Sequence, residues 1–366
     1  MSDSPHFLKK LELSGFRSIR NARISFSSDL NVLIGANGSG KSNIISFFRM
    51  LGQMMDSNKG LQNYVAENGR ADGLLFRGTE TTQNLSAELS FNLNRYSFAL
   101  QAAQDGTLFF SSEEVFFKGP HFGSTTYTQG SGHLESKLSV EQGLRSAEQW
   151  AREAVRGWRV YHFHNTSPSA PMMGDWNVVD NECLLENAGN IAAVLFRIWN
   201  ENRPYYDRIV AHIRQAAPYF GDFVFKKMPV HKIMLCWKER YSDKMYYPAQ
   251  LSDGSIRFIC LATLLLQPDP PQTIIIDEPE LGLHPSAVHV LIGMLALASE
   301  KSQIIACTQS SQLVNGLDVD DLIVVDRKNG ETTFSRPDED ALAHWLDEYS
   351  LGELWEKDIL GGRPQP

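Results

Sequence analysis

Gly35-Ala36-Asn37-Gly38-Ser39-Gly40-Lys41-Ser42 fits the pattern G-x-x-x-x-G-K-[ST] at every required position. The run before it, Leu30-Asn31-Val32-Leu33-Ile34, reads as a buried strand. The run after it, Asn43-Ile44-Ile45-Ser46-Phe47-Phe48, reads as the first turns of a helix. In that setting each residue type has a task. Glycines let backbone N–H groups turn inward around a polyphosphate, so Gly35, Asn37, Gly38, Ser39, Gly40 and Asn43 are candidate ATP-binding residues. Lys41 reaches the β- and γ-phosphates, the Ser42 hydroxyl can ligate Mg²⁺, and the helix N-terminus adds partial positive charge.

Composition narrows the class. The chain has 366 residues, enough for one large domain or two ordinary ones, and its 42% apolar content is that of a globular protein. Met1-Ser2-Asp3-Ser4-Pro5-His6 lacks the basic stretch and apolar core of a secretory signal. The longest apolar runs, near Ile259–Leu266 and Ala287–Ala298, are too short to span a membrane and read as core helices. A cytoplasmic protein with no membrane partner is expected. Cys183, Cys236, Cys260 and Cys307 form no C-x-x-C pair, so buried free thiols are expected rather than zinc or disulfides. The net charge of −9 disfavours general adhesion to nucleic acid while leaving room for a local basic groove.

Along the chain, Phe7–Phe26 reads as an N-terminal strand hairpin and Gln53–Arg77 as loop. Asn84–Phe91, Tyr96–Ala102 and Leu108–Phe117 read as an antiparallel sheet, and Gly119–Gly132 as a loop. Glu141–Arg156 has helical spacing, Trp158–Phe163 reads as a strand, and Leu184–Ala217 as two helices broken at Asn202-Arg203-Pro204. Phe223–Trp237 is β in character. The final third alternates helix and strand, as in βαβ units with a parallel sheet.

A second acidic motif follows. Thr273-Ile274-Ile275-Ile276-Asp277-Glu278-Pro279-Glu280 is a buried strand ending in an aspartate able to hold Mg²⁺ and a glutamate able to deprotonate water. Upstream, Leu251-Ser252-Asp253-Gly254-Ser255 would at least cap a helix. One helix and one strand fit between Ser252 and Asp277, and a further helix and strand between Asp277 and Gln309.

With Leu13-Ser14-Gly15-Phe16-Arg17-Ser18-Ile19, Asp277–Pro285 and Thr308-Gln309-Ser310-Ser311, these segments resemble the SMC/RecF-type branch of ABC ATPases. The resemblance is strongest to compact, stand-alone AAA-family ATPases of the RecF/OLD-like kind without a nuclease domain, and it covers nearly the whole chain. It implies an α/β, ABC-type ATPase head with a P-loop mixed sheet, an antiparallel β lobe and a helical inserted subdomain. The expected division is 1–164 (N-terminal lobe), 165–247 (insert in place of a coiled coil), 248–335 (C-terminal lobe) and 336–366 (C-terminal helix and tail). By the same resemblance Asp277 holds Mg²⁺ and Glu278 is the general base. Ser252, Asp253 and Gly254 form the signature facing the γ-phosphate of an opposite subunit, Leu281–Pro285 is the D-loop, and Arg17 lies near the phosphates. Two departures stand out. The switch residue is Gln309 where the family usually has histidine, so it cannot carry a proton. No segment stands out as a Q-loop; Gln53, Gln62 and Tyr161–Asn165 are all candidates.

The implied function is Mg-ATP hydrolysis driving a head-to-tail homodimer, with a separately encoded effector, such as a nuclease, in phage defence or DNA maintenance. Two alternatives stand beside it: a RecF-like DNA-repair ATPase binding DNA directly, and an ATP-stabilised scaffold with little turnover. Lys226, Lys227, Lys232, Lys238, Arg240 and Lys244, with Trp237 and Tyr241 interleaved, are the candidate nucleic-acid strip, against the plainer reading of a solvated strand. His162 and His164 have metal-ligand spacing but no evident carboxylate or cysteine partner. Asp338–Tyr349 reads as an acidic amphipathic helix packing through Leu342, Trp345, Leu346 and Tyr349.

Overall fold

The computed structural model describes residues 6–55, 59–118, 123–141 and 143–362. In chain order these form β1 (Lys10–Phe16), β2 (Ile19–Ser25), β3 (Leu30–Ile34), α1 (Lys41–Met54), α2 (Gly60–Glu67), α3 (Arg70–Leu74), β4 (Asn84–Ser90), β5 (Arg95–Ala102), β6 (Leu108–Lys118), β7 (Ser124–Thr128) and α4 (Ser146–Arg156). Next come β8 (Arg159–Tyr161), β9 (Asp175–Asn177), α5 (Ile191–Glu201), α6 (Arg203–Ala216), β10 (Phe220–Met228), β11 (Lys232–Glu239), β12 (Met245–Tyr246), α7 (Asp253–Leu266), β13 (Thr273–Asp277), α8 (Pro285–Ser299), β14 (Gln303–Thr308) and α9 (Ser311–Val314). The chain closes with β15 (Leu322–Lys328), β16 (Glu331–Ser335), α10 (Glu339–Leu346) and α11 (Leu351–Glu356). It divides into two compact units, Met1–Arg159 with Asp318–Pro366, and Val160–Leu317. The second unit ends at Leu317, inside the segment 248–335 read as the C-terminal lobe.

In the first unit an antiparallel sheet runs β2-β1-β4-β5-β6-β7. Alternation along β4 and β5 buries Leu85, Ala87, Leu89, Tyr96, Phe98 and Leu100, the period-2 pattern of a half-covered sheet. β3 is buried throughout and pairs in parallel with β15, which pairs antiparallel with β16. α1 buries Phe47 and Phe48, whose rings meet Phe16 and Trp158 edge-on at 5.5 and 5.4 Å.

Within Gln53–Arg77, read as loop, Gly60–Glu67 and Arg70–Leu74 are helices, while residues 56–58 lie outside the described residues. The apolar residues Leu61, Tyr64 and Val65 recur at helical spacing, and Glu135, far away in sequence, accepts from Leu61 N at 2.9 Å and Gln62 N at 3.1 Å. That cap comes from tertiary structure, which is why the glycines there read as loop. Within Gly119–Gly132, Ser124–Thr128 is an edge strand paired with β6, as its threonines and tyrosine favour. Residues 119–122 of that stretch lie outside the described residues, as do residues 1–5, on which the expectation about a secretory signal falls.

The second unit contains the parallel pair β13 and β14, flanked by β8, and a separate sheet of β9 to β12. Between 165 and 247, where a helical insert is expected, two helices share the segment with this sheet. α5 starts only at Ile191. The residues before it turn around Asn190, which is buried, accepts from Leu185 N at 3.0 Å and donates to Cys183 O at 2.8 Å. Cys236, Cys260 and Cys307 are buried free thiols, and Cys183 is half-buried. No helix among the described residues is long and apolar enough to cross a membrane. In the first unit α10 buries only Leu342 and leaves Trp345 42% exposed; Leu351, Leu354 and Trp355 of α11 do most of the packing at this end.

Glu113 on β6 is wholly buried and accepts from Tyr96 Oη at 2.6 Å, His133 Nε2 at 3.0 Å, Ser136 Oγ at 2.5 Å and Lys137 N at 3.0 Å. Burial and this carboxyl push the Tyr96 phenol well above its ordinary pKa. Glu113→Ala would orphan four donors and is expected to destabilise the first unit by about 3–5 kcal/mol, lowering its thermal midpoint by roughly 10 °C in a calorimetric scan. An unchanged midpoint would show that the network is dispensable.

Candidate nucleotide site

The phosphate loop joins the buried end of β3 to the start of α1. Its shape demands glycine at two close approaches. A Cβ on Gly35 would lie 2.3 Å from the Val325 carbonyl oxygen, and one on Gly40 would lie 2.1 Å from Thr332 Oγ1, with Gly40 also at φ 116°. Lys41, only 6% exposed, folds back over the loop and donates to Gly35 O at 2.6 Å and Ala36 O at 3.0 Å. α1 starts without a side-chain cap or an acidic residue in its first turn, so its N-terminal amides and partial positive charge are directed into the same loop. Asn37, Gly38 and Ser42 are exposed, and Ser39 Oγ is buried with no hydrogen-bond partner among the described residues.

Behind the loop runs a one-way chain of donors. Asn43 Nδ2 donates to Ser18 Oγ at 2.6 Å, the Ser18 hydroxyl lies 2.6 Å from Thr332 Oγ1, and Thr332 donates to Ser39 O at 2.8 Å. Arg327 adds a bond to Gly38 O at 3.2 Å. Neither Thr332 nor Arg327 carries a sequence signal, since both reach the loop from strands far along the chain. Arg17, expected near the phosphates, sits in a left-handed turn at φ 49° and donates to Asn68 Oδ1 at 2.8 Å. Its neighbour Ser18 makes the link toward the loop.

The acidic motif lies in the second unit. β13 pairs with β14 so that Asp277 stands opposite Cys307. Glu278 leaves the strand at φ 45°, a left-handed conformation unusual for glutamate, and its N–H donates to Cys307 O at 2.9 Å. Gln309 Nε2 donates to Glu278 Oε1 at 3.0 Å, and Thr308 Oγ1 donates to Glu280 Oε1 at 2.5 Å. Burial raises the Glu280 carboxyl above its ordinary pKa. Of the three Q-loop candidates, the Tyr161–Asn165 segment meets this motif: His164 Nε2 lies 3.2 Å from Asp277 O. Arg257 on α7 braces the same segment, donating to His164 O at 3.0 Å and to Leu281 O at 3.2 Å. Gln62 instead bonds Leu108 O and Leu134 O in the first unit.

Ser252 caps α7, its Oγ accepting from Ser255 N at 3.2 Å. Gly254 approaches Gly282 so closely that a Cβ would lie 2.7 Å from the Gly282 carbonyl oxygen. Ser252, Asp253, Gly254, Ser255, Gly282 and His284 border a cleft of about 320 Å³. Among the described residues no group of three or more His, Cys, Asp or Glu side chains is placed to hold a metal, His162 and His164 included.

Most of the strand lysines of the candidate nucleic-acid strip share one face of the sheet. Pairing of β10 with β11 puts Lys226, Lys232 and Lys238 on one side and Lys227 on the other. Lys232 is paired with Asp175 at 3.1 Å, and Asp222 stands opposite Lys238.

Residues 30–315 match the family described as "AAA domain, putative AbiEii toxin, Type IV TA system". The chain belongs to this AAA family. It is an ATPase-family protein of the SMC/RecF-like ABC kind. A 93-residue stretch is 32% identical to the DNA replication and repair protein RecF of Renibacterium salmoninarum, covering 24% of this chain and 23% of that one. A 44-residue stretch is 52% identical to the chromosome partition protein Smc of Halothermothrix orenii, covering 12% and 4%. The chain thus spans under a quarter of the length of these curated relatives. In fold, this AAA-family chain is similar to an Smc head solved with the C-winged helix domain of ScpA, with TM-score 0.61, 17% identity and coverage of 92% and 99%. It is also similar to the Pyrococcus furiosus Smc head bound to the C-terminal domain of ScpA, with TM-score 0.56, 15% identity and coverage of 93% and 99%.

Thr332→Val keeps the shape but removes the hydroxyl that holds Ser39 O. It is expected to weaken binding of a fluorescent ATP analogue about tenfold, the effect of one buried hydrogen bond. Affinity equal to wild type would sever Thr332 from the loop.

Proposed function

We propose that this AAA-family chain binds and hydrolyses Mg-ATP, closes head to tail on a second copy when ATP is bound, and so regulates a separately encoded effector. The observation that carries this reading is the convergence of Lys41 Nζ and the uncapped N-terminus of α1 on one phosphate-sized loop. Ser42 and Asp277 each carry a hard oxygen donor of the kind that suits Mg²⁺, an ion that keeps waters and takes phosphate oxygens among its ligands. When bound, the ion supplies charge neutralisation on the phosphate oxygens.

In this reading Lys41 balances the charge on the β- and γ-phosphates. Glu278 takes the proton of the attacking water. The water oxygen bonds to the γ-phosphorus as the bond to the bridging oxygen breaks, leaving ADP and phosphate. Gln309 holds the Glu278 carboxylate in place and carries no proton itself, so hydrolysis rests on Glu278. The exposed start of α7, with Ser252, Asp253 and Gly254, offers a second anion-binding surface, and the nucleotide of another copy is the ligand proposed for it. Two-fold pairing then makes two equivalent sites. The solved Smc heads that carry ScpA domains support the idea that a head of this fold works on a protein partner. The toxin–antitoxin wording of the family description supports a place in defence. Direct DNA binding through Lys226–Lys244 is the second reading, with Lys226, Lys232 and Lys238 on one face and Lys232 engaged by Asp175.

The test is the solution mass of Glu278→Gln with and without Mg-ATP, beside wild-type ATP turnover. The expected outcome is a doubling of the mutant's mass with Mg-ATP, its reversal by EDTA, and measurable wild-type hydrolysis. An unchanged mass would overturn the dimer switch. Absent turnover would leave an ATP-stabilised scaffold, the reading that Gln309 invites.

A further inference from the structure

The turn after β13 carries a second glutamate that the hydrolytic scheme leaves without a task. Glu280 Oε1 accepts from Thr308 Oγ1 at 2.5 Å, and the same hydroxyl oxygen accepts from Ser310 N at 2.9 Å. Gln309, between these two residues, reaches Glu278. Two glutamates of one turn are therefore tied to two successive residues of the neighbouring strand's end. The turn itself is closed by Leu281 N to Glu278 O at 3.1 Å and Leu283 N to Glu280 O at 3.0 Å. On the other side, Ser310 Oγ accepts from Leu313 N at 3.3 Å and anchors α9. Gln309 thus has fixed residues on both sides.

Glu280 is a poor choice for stability alone. Its Oε2 is buried and has no hydrogen-bond partner among the described residues. Burial first, and the nearby Glu278 charge as well, raise its carboxyl above the ordinary value. An incompletely bonded buried carboxyl beside another glutamate destabilises the fold, and such arrangements persist where function uses them. What the carboxyl supplies is a short, strong bond to Thr308.

We propose that Glu280 is a positioning residue for the hydrolytic centre: through Thr308 it sets the side chain of Gln309 against Glu278. The inference rests on the ATPase reading above. Gln309 has several rotatable bonds, so its amide meets Glu278 only if the backbone at Thr308 and Gln309 is held. Thr308 is held through its hydroxyl, and Glu280 is the group that receives that hydroxyl's proton.

The experiment compares Glu280→Ala, Thr308→Val, Thr308→Ser and the Glu280→Ala/Thr308→Val double variant in the full chain. It measures kcat and KM for ATP, affinity for a non-hydrolysable ATP analogue, and thermal midpoint. Glu280→Ala and Thr308→Val are each expected to lower kcat about tenfold or more, with analogue affinity within about twofold of wild type. Thr308→Ser, which keeps the hydroxyl, is expected to restore most of kcat. The double variant is expected to be no slower than the slower single one, because both remove the same contact. The midpoint of Glu280→Ala should change little, since removal of an incompletely bonded buried carboxyl offsets the loss of the acceptor for Thr308. A lowered midpoint and weakened analogue binding, with kcat per folded molecule unchanged, would reveal a purely structural role and overturn the proposal. Wild-type turnover matched by Glu280→Ala overturns it alone, whereas absence of turnover in wild type overturns the ATPase reading and this inference with it.

Discussion

The register of β13 against β14 sets Asp277 opposite Cys307, and the geometry of the acidic motif follows from it. The Cys307 carbonyl receives the N–H of Glu278, which helps fix that residue in its left-handed turn. The next two residues of the partner strand's end, Thr308 and Gln309, then fall beside the two glutamates. A shift of one residue would move every side chain of β14 to the opposite face and leave both carboxyls without these donors.

The phosphate loop obeys a different constraint, that of close backbone approach. Gly40 can take its left-handed conformation beside Thr332 only because it has no Cβ, and Thr332 uses that proximity to bind the Ser39 carbonyl. The loop is thus braced from behind by β16 while its amides and Lys41 face inward. Electrostatics and sterics cooperate: the helix start supplies positive potential, and the brace keeps the loop from closing on itself.

Much of this was legible. The hairpin β1–β2, the strands β4 to β6, the alternation in the final third and the phosphate loop all follow from short-range periodicity and from glycine placement. Departures arose where a distant group overrode local composition. Glu135 turned glycine-bearing residues near 60 into a capped helix, and pairing with β6 made a strand of Ser124–Thr128. The lysines of 226–244 look like one strip in sequence, yet antiparallel pairing puts Lys227 on the face opposite Lys226, Lys232 and Lys238. The F-R-S segment reaches the loop through Ser18, while Arg17 donates to Asn68.

By itself the sequence determined the identity of the phosphate loop, the acidic strand end and the Leu251–Ser255 helix start, because each is a run of consecutive residues whose geometry is set within one turn. Only the tertiary structure decided that Thr332 braces the loop, that Thr308 and Gln309 divide Glu280 and Glu278 between them, and that Arg257 ties α7 to His164 and Leu281. The physical reason is common to all three. A hydrogen bond acts over about 3 Å, and which distant residues come that close depends on strand register and packing rather than on any local pattern.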